Sequence, residues 1–305
     1  WSLQDIIVCS SLSSVILNII RYYKSVVWNP DIFFKPWFNV DPKFFRSTLD
    51  VCGAVVAGSQ INQLLDRTRY DNSDMDIFLR IGGIQRMGGW LETQGYRLVS
   101  SSSTYGPFHQ TVARLSTRLA IATASDNTVK GVFNYERYVA STQVVYHQRI
   151  QLVVVDMNPI HHVLFDFHST AVMNYMVSDA VVSVFPTSTF LLSKSYVSKS
   201  TPETAERSEQ WKSKYRERGF RIVRRRSKGV HRDIRLGRRS TGDSRTWVIK
   251  LKGEFVVSLA IVLLINLTEP PFEACSIYGR MDMDVGFEVL SWRSGVACHD
   301  SALRI

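Results

Sequence analysis

Residues 54–79 read AVVAGSQINQLLDRTRYDNSDMDIFL, and this stretch limits the fold more than any other. An unbroken apolar run over 54–57 is the pattern of a short strand buried on both faces, because alternation disappears when neither face meets water. Gly58 ends the run, and Ser59 offers an N-cap for a helix through Ile61, Leu64 and Leu65 to Asp66. After the polar loop RTRYDN, a second strand is expected over residues 73–79. Side chains alternate along a strand, so Asp74 and Asp76 share one face while Met75 and Ile77 enter the opposite layer.

The flanking sequence extends this strand-turn-helix-strand order. Residues 1–24 read as an amphipathic helix ending in the basic RYYK, followed by an aromatic, proline-marked connection. Asp41-Pro42 supplies an N-cap with proline at the first helical position, and Gly53 stops the helix that follows. A helix is expected from about Gln85 to Thr93, then strands at YRLVS and over residues 144–155, and a short helix from Pro159. Residues 100–107 and 125–130 read as loops, residues 165–185 mix both signals, and residues 198–218 read as a helix with an acidic start and a basic end.

The expected fold class is α+β, with a mixed β-sheet flanked by helices and a basic C-terminal extension. The division expected along the chain is an N-terminal helix (1–30), a core (31–197), a helix with basic strand and loop (198–252), and a divergent apolar segment (253–305). With 305 residues and 45% apolar composition, the chain can bury a sizeable core. It opens on Trp1 rather than Met, which leaves open that it is a fragment.

The net charge of +10 is unevenly placed. Residues 212–252 hold sixteen Lys or Arg against Glu217, Asp233 and Asp243, and the rest of the chain is mildly acidic. Tyr215, Phe220 and Trp247 are interleaved with these cations, a composition that neutralises phosphates and offers stacking rings, so RNA or DNA is an expected partner of 212–252. The bland alternative is a solvated basic region with its aromatics in the core. RRRSKGVHR also fits a nuclear-import patch.

Cys9, Cys52, Cys275 and Cys298 are scattered without metal spacing, which suits core thiols in a reducing, intracellular compartment, cytoplasmic or nuclear. The apolar run 255–267 is about 13 residues, short of the roughly 20 that span a bilayer, so no membrane span is expected. His161, His162 and His168 are expected to be ordinary hydrogen-bonded histidines. Serine-hydrolase elbows, Walker loops and dinucleotide fingerprints are absent from the sequence.

Two carboxylates on one strand face, about 7 Å apart at the standard rise, can hold a divalent cation through oxygen ligands. Magnesium or manganese suits such ligands better than zinc. The Gly-Ser turn is complementary: glycine admits a phosphate close to the backbone, and the following helix presents unpaired N–H groups.

Gly58, Ser59, Asp74 and Asp76 together resemble the motif of the nucleotidyltransferase superfamily that includes polymerase β. KPWF at residues 35–38, IQLVVVDMNPIHHVLFDFHSTAVMNYM and RLGRRSTGDSRTWVIKL further resemble uncharacterised basidiomycete fungal proteins with such a core, over residues 30–250. The resemblance implies a nucleoside triphosphate substrate, Mg2+ or Mn2+ on Asp74 and Asp76, and phosphate at Gly58 and Ser59. It also implies a third acid in a later strand, where Gln151 stands instead. Asp156 and Asp166 are the substitutes, Asp156 reading more simply as a turn residue. Two functions follow: a metal-dependent nucleotidyltransferase with Asp74, Asp76 and Asp166 as catalytic acids, impaired if Gln151 is not replaced in that role, or a non-catalytic nucleic-acid or protein interaction module on the same fold.

Overall fold

The structure is a computed structural model that describes residues 2–71, 73–99, 108–121, 128–140, 145–198, 205–223, 234, 238–251, 277–281 and 287–291. The chain opens with α1 (Leu3–Cys9) and α2 (Ser14–Val27) in place of the single helix expected over 1–24. The serines explain the break. Ser2 and Ser13 accept from Asp5 N and Ile16 N as N-caps, while Ser10 and Ser11 turn their hydroxyls onto the carbonyls of Ile6 and Val8.

Next come α3 (Pro30–Phe34) and α4 (Pro42–Val51), the latter capped by Asp41 Oδ1 accepting from Lys43 N at 2.9 Å. Gly53, at φ +56°, turns the chain into β1 (Val55–Ala57). Then follow α5 (Ser59–Asp66), β2 (Met75–Leu79), α6 (Ile81–Thr93), β3 (Arg97–Val99), α7 (Phe108–Ile121), β4 (Val129–Ala140) and β5 (Val145–Val155). After α8 (Pro159–Phe165), the mixed signal of 165–185 resolves into a 3-10 turn, β6 (Asn174–Met176) and β7 (Ala180–Ser183). The remaining elements are β8 (Lys194–Tyr196), α9 (Ala205–Glu217), β9 (Arg221–Val223), β10 (Arg238–Ser240), β11 (Trp247–Lys250), β12 (Ile277–Met281) and β13 (Phe287–Ser291).

Eight strands form one mixed sheet in the order β11-β7-β6-β1-β2-β5-β4-β3. β1 runs antiparallel to both β2 and β6, whereas β2 and β5 are parallel. β8 pairs with β9, and β10, β13 and β12 form a third small sheet. The α+β class with a mixed sheet flanked by helices is therefore present.

Each face of the large sheet builds its own apolar layer. Val56, Met75, Ile77, Ile150 and Leu152 meet α4, α5, α6 and α7 through Phe45, Leu49, Ile61, Leu64, Ile84 and Val112. On the other side Val55, Ala57, Phe78, Val153 and Val155 meet α8 through Val163 and Leu164. This second layer stops short of Asp76 and Gln151, which leaves a polar end of the sheet uncovered by α8.

Residues 247–250, placed by sequence with the basic extension, instead complete the edge of the core sheet against β7. Trp247 also meets Trp28 edge-on at 5.0 Å, and Trp28 Nε1 donates to Leu65 O at 2.9 Å. The N-terminal helices, α5 and the last core strand are thereby tied together. Cys52 is buried, and burial pushes its thiol up to about 12, as suits an inert core thiol. Among the described residues no helix is long and apolar enough to cross a membrane. The segments 224–233, 252–276 and 292–305 lie outside the described residues, and with them the import-patch motif and the apolar run 255–267.

Candidate active site

Three neighbouring strands place the site. β1 ends at Ala57, paired with Asp76 of β2, and Asp76 is in turn paired with Gln151 of β5. The turn, an acid and the expected third-acid position therefore stand side by side across the sheet. Asn134 of β4 continues the row beyond Gln151.

Gly58 is the N-cap of α5 at φ +74°, ψ −144°, a conformation close to the region reserved for glycine. Ser59 is thus the first helical residue, one position later than its expected capping role. A Cβ built on Gly58 would lie 2.7 Å from Asp76 Oδ2, so the carboxylate occupies the space that the missing side chain leaves. Ser59 Oγ is hydrogen-bonded to Ser73 Oγ across the loop. Gln60 Nε2 donates to Ser73 O at 2.8 Å, and Gln63 Nε2 donates to Ser59 O at 3.2 Å and Ser73 Oγ at 3.1 Å. Gln63 Oε1 also accepts from Tyr70 N at 2.8 Å. Two helix glutamines therefore hold Tyr70 and Ser73 against the turn, which fixes the approach to β2.

Asp74 stands just before the first residue of β2, one residue outside the strand expected to contain it. Its Oδ1 accepts from Arg149 Nε at 2.8 Å. Arg149 lies two residues before Gln151 on the same face of β5, which is why it reaches Asp74. Among the described residues Asp76 has no salt-bridge partner: burial, then the charge of Asp74, raise its carboxyl to about 7, while Lys214 opposes the shift. A largely exposed ion pair and a buried carboxyl that holds its proton more tightly than usual thus stand side by side.

Asp166 is not brought into this pair. It caps α8, and its Oδ2 lies 2.9 Å from His162 Nδ1. Asp156 pairs with Lys130 at 2.9 Å, as its turn position suggests. Among the described residues no group of three or more His, Cys, Asp or Glu is placed to hold a metal ion. The reason lies in α8: its single pair of turns commits Asp166 to the i, i+4 histidine beneath it. His162 and His168 have packing roles, His162 beside Phe78 and His168 stacked on Trp211 at 4.0 Å.

α9 packs on the aromatic layer beside β2, which sequence spacing did not show. Trp211 and Tyr215 pack on His168, next to Phe167, and Phe167 meets Phe78 of β2 at 5.4 Å. This brings Lys214 within electrostatic range of Asp74 and Asp76. Arg218 places its guanidinium 4.0 Å from the Tyr70 ring. Arg149, Lys214, Arg218 and Tyr70 were absent from the sequence-derived candidates, and only the parity of Arg149 with Gln151 could have identified one of them.

Restoring the missing acid is a direct probe. If the acid pair holds magnesium, Gln151→Asp is expected to tighten that binding about tenfold, equivalent to about 1.4 kcal/mol, because a third carboxylate joins Asp76 at its registered neighbour. Isothermal titration with Mg2+ checks this, and an unchanged affinity would place the cation elsewhere. No family model, curated protein or solved structure matches the chain.

Proposed function

We propose that this protein binds a nucleoside triphosphate together with Mg2+ or Mn2+ at a nucleotidyltransferase-like site, with transfer chemistry impaired by Gln151. The observation that carries the reading is the lateral row of Gly58 turn, Asp76 and Gln151 on three paired strands, with Asp74 on the same face. Two acids with one carboxyl raised by burial and by its neighbour form an anionic pair that a divalent cation would stabilise. Asp74 and Asp76 would hold that ion, and Gly58 with the first turn of α5 would receive phosphate oxygens. When bound, such an ion neutralises phosphate charge and orients the attacking and leaving oxygens.

The chain's own groups decide how well that works. Gln151 is neutral and cannot bridge two cations as a carboxylate does. Arg149 already neutralises one oxygen of Asp74. These two features favour a second reading, in which the same fold serves as a nucleic-acid or protein interaction module without catalysis.

Calorimetry separates the two. Wild type is expected to bind a nucleoside triphosphate only with Mg2+ or Mn2+ present, and the double variant Asp74→Asn, Asp76→Asn is expected to lose that binding. A folded wild type with no binding up to about 1 mM, roughly −4 kcal/mol, would remove the nucleotide reading and leave the interaction module.

A further inference from the structure

α2 carries two apolar stripes, and the fold covers one of them. Ile16, Ile20, Tyr23 and Val27 pack with Trp28 and Trp247 beside the edge of the large sheet. Val15, Ile19, Tyr22 and Val26 each stand one residue earlier, which turns them about 100° around the helix. They are 68%, 58%, 74% and 40% exposed. Ile7 and Val8 of α1 and Leu12 between the helices are exposed as well, and the two helices share the buried contact of Ile6 with Ile20. At roughly 100 Å² apiece these seven residues expose about 700 Å², near the ~800 Å² that each partner buries in a stable interface. That area also exceeds the largest apolar patch of a typical monomer.

The steps along the exposed stripe are four, three and four residues, the spacing of a seam that takes a second helix. The order reads the same in both directions, as suits an antiparallel contact of the helix with itself. The outer flank of the stripe, Asn18 and Ser25, is uncharged, and Arg21 Nη1 donates to Asn18 Oδ1 at 3.2 Å. A helix built to lie on an anionic bilayer is rich in Lys and Arg across its polar face, whereas Ser14, Asn18 and Ser25 outnumber the one cation, Arg21, on that of α2. We propose that α2 is the contact helix of a two-fold dimer of this chain, with Val15 against Val26 of the partner subunit and Ile19 against the partner's Tyr22. Antiparallel pairing sets the half of each helix that holds Arg21 and Lys24 against the uncharged residues 14–20 of the other, and it opposes the helix dipoles. Parallel pairing would stack like charges at one end. The inference stands apart from the nucleotide reading, because it uses no residue of the acid pair or of the Gly58 turn.

Sedimentation equilibrium of the full chain over a range of concentrations is the test. Wild type is expected to run at twice the mass of one chain, with a dissociation constant in the micromolar range. Ile19→Glu and Tyr22→Lys each change an exposed side chain, so both are expected to melt like wild type by circular dichroism while dissociation rises at least a hundredfold. Mixing the two variants is expected to restore a dimer, because the antiparallel register brings the two new charges together. A wild type that stays monomeric up to about 100 μM, roughly −5 kcal/mol, overturns the proposal. So does a dimer that Ile19→Glu leaves intact, which would place the interface elsewhere. Flotation of a monomeric wild type with phosphatidylserine vesicles, lost in Ile19→Glu, would assign the stripe to a lipid surface instead. A monomeric wild type whose melting temperature falls in Ile19→Glu would show that the chain covers the stripe itself.

Discussion

Gly58→Ala is expected to destabilise the fold by about 3 kcal/mol and, on the function proposed above, to abolish metal-dependent nucleotide binding. Two effects combine. The backbone at φ +74°, ψ −144° lies near a region that only glycine occupies without strain. The new methyl would also sit 2.7 Å from Asp76 Oδ2, forcing the carboxylate out of the turn. A carboxylate on a free side chain could swing away cheaply, but Asp76 is enclosed by β1, β5 and α5, so the displacement spreads to the loop held by Gln60 and Gln63. Chemical denaturation reports the stability change, and calorimetry reports the lost site. An alanine variant with native stability and affinity would show that the turn has no strained geometry to protect.

Removing the charge at Asp76 should act in the opposite direction on stability. Its carboxyl is raised to about 7 from an ordinary value of 3.8, so the folded protein binds more protons than the unfolded chain between these values. Stability contributed by this group is therefore complete below about pH 4 and is lost as pH rises through 7. Asp76→Asn eliminates that loss, and at pH 8 without metal it is expected to raise stability by about 1–3 kcal/mol, or Tm by about 5 °C. At pH 4 the same variant should gain nothing. On the function proposed above, magnesium binding by the wild type should tighten as pH rises through about 7, because the proton on Asp76 competes with the cation. A variant that gains stability at pH 8 and loses magnesium affinity would exhibit the exchange of stability for function expected of a crowded acid pair.

Local chemistry made much of the site legible before any coordinates. The double-faced burial of β1 needed only its unbroken apolar run, and the shared face of Asp74 and Asp76 followed from strand periodicity. Gln151 could be singled out only through the resemblance, which implies an acid in a later strand and has RIQLVVV as its counterpart. What sequence could not supply was tertiary register. Arg149 reaches Asp74 only because β2 and β5 are parallel and aligned at Asp76 and Gln151. Lys214 and Arg218 looked like members of a diffuse basic run, since their placement depends on Trp211 finding His168, more than forty positions away. Residues 247–250 alternate as any edge strand does, and nothing local to them identifies β7 as the neighbour.

The position of β1 at the middle of the sheet has a consequence for how the protein is made. Its first neighbour, β2, follows closely, but its second, β6, pairs Val56 with Met176, some 120 positions later. Until that second strand leaves the ribosome, the strand carrying the Gly58 turn has one open edge. The sheet gains its last described edge strand, β11, only when residues 247–250 have been synthesised. Assembly of the sheet around the Gly58 turn is thus a late, long-range event, of the kind that loop-closure entropy slows. A nascent chain ending before residue 174 would hold both acids and the turn while lacking the strand that covers β1.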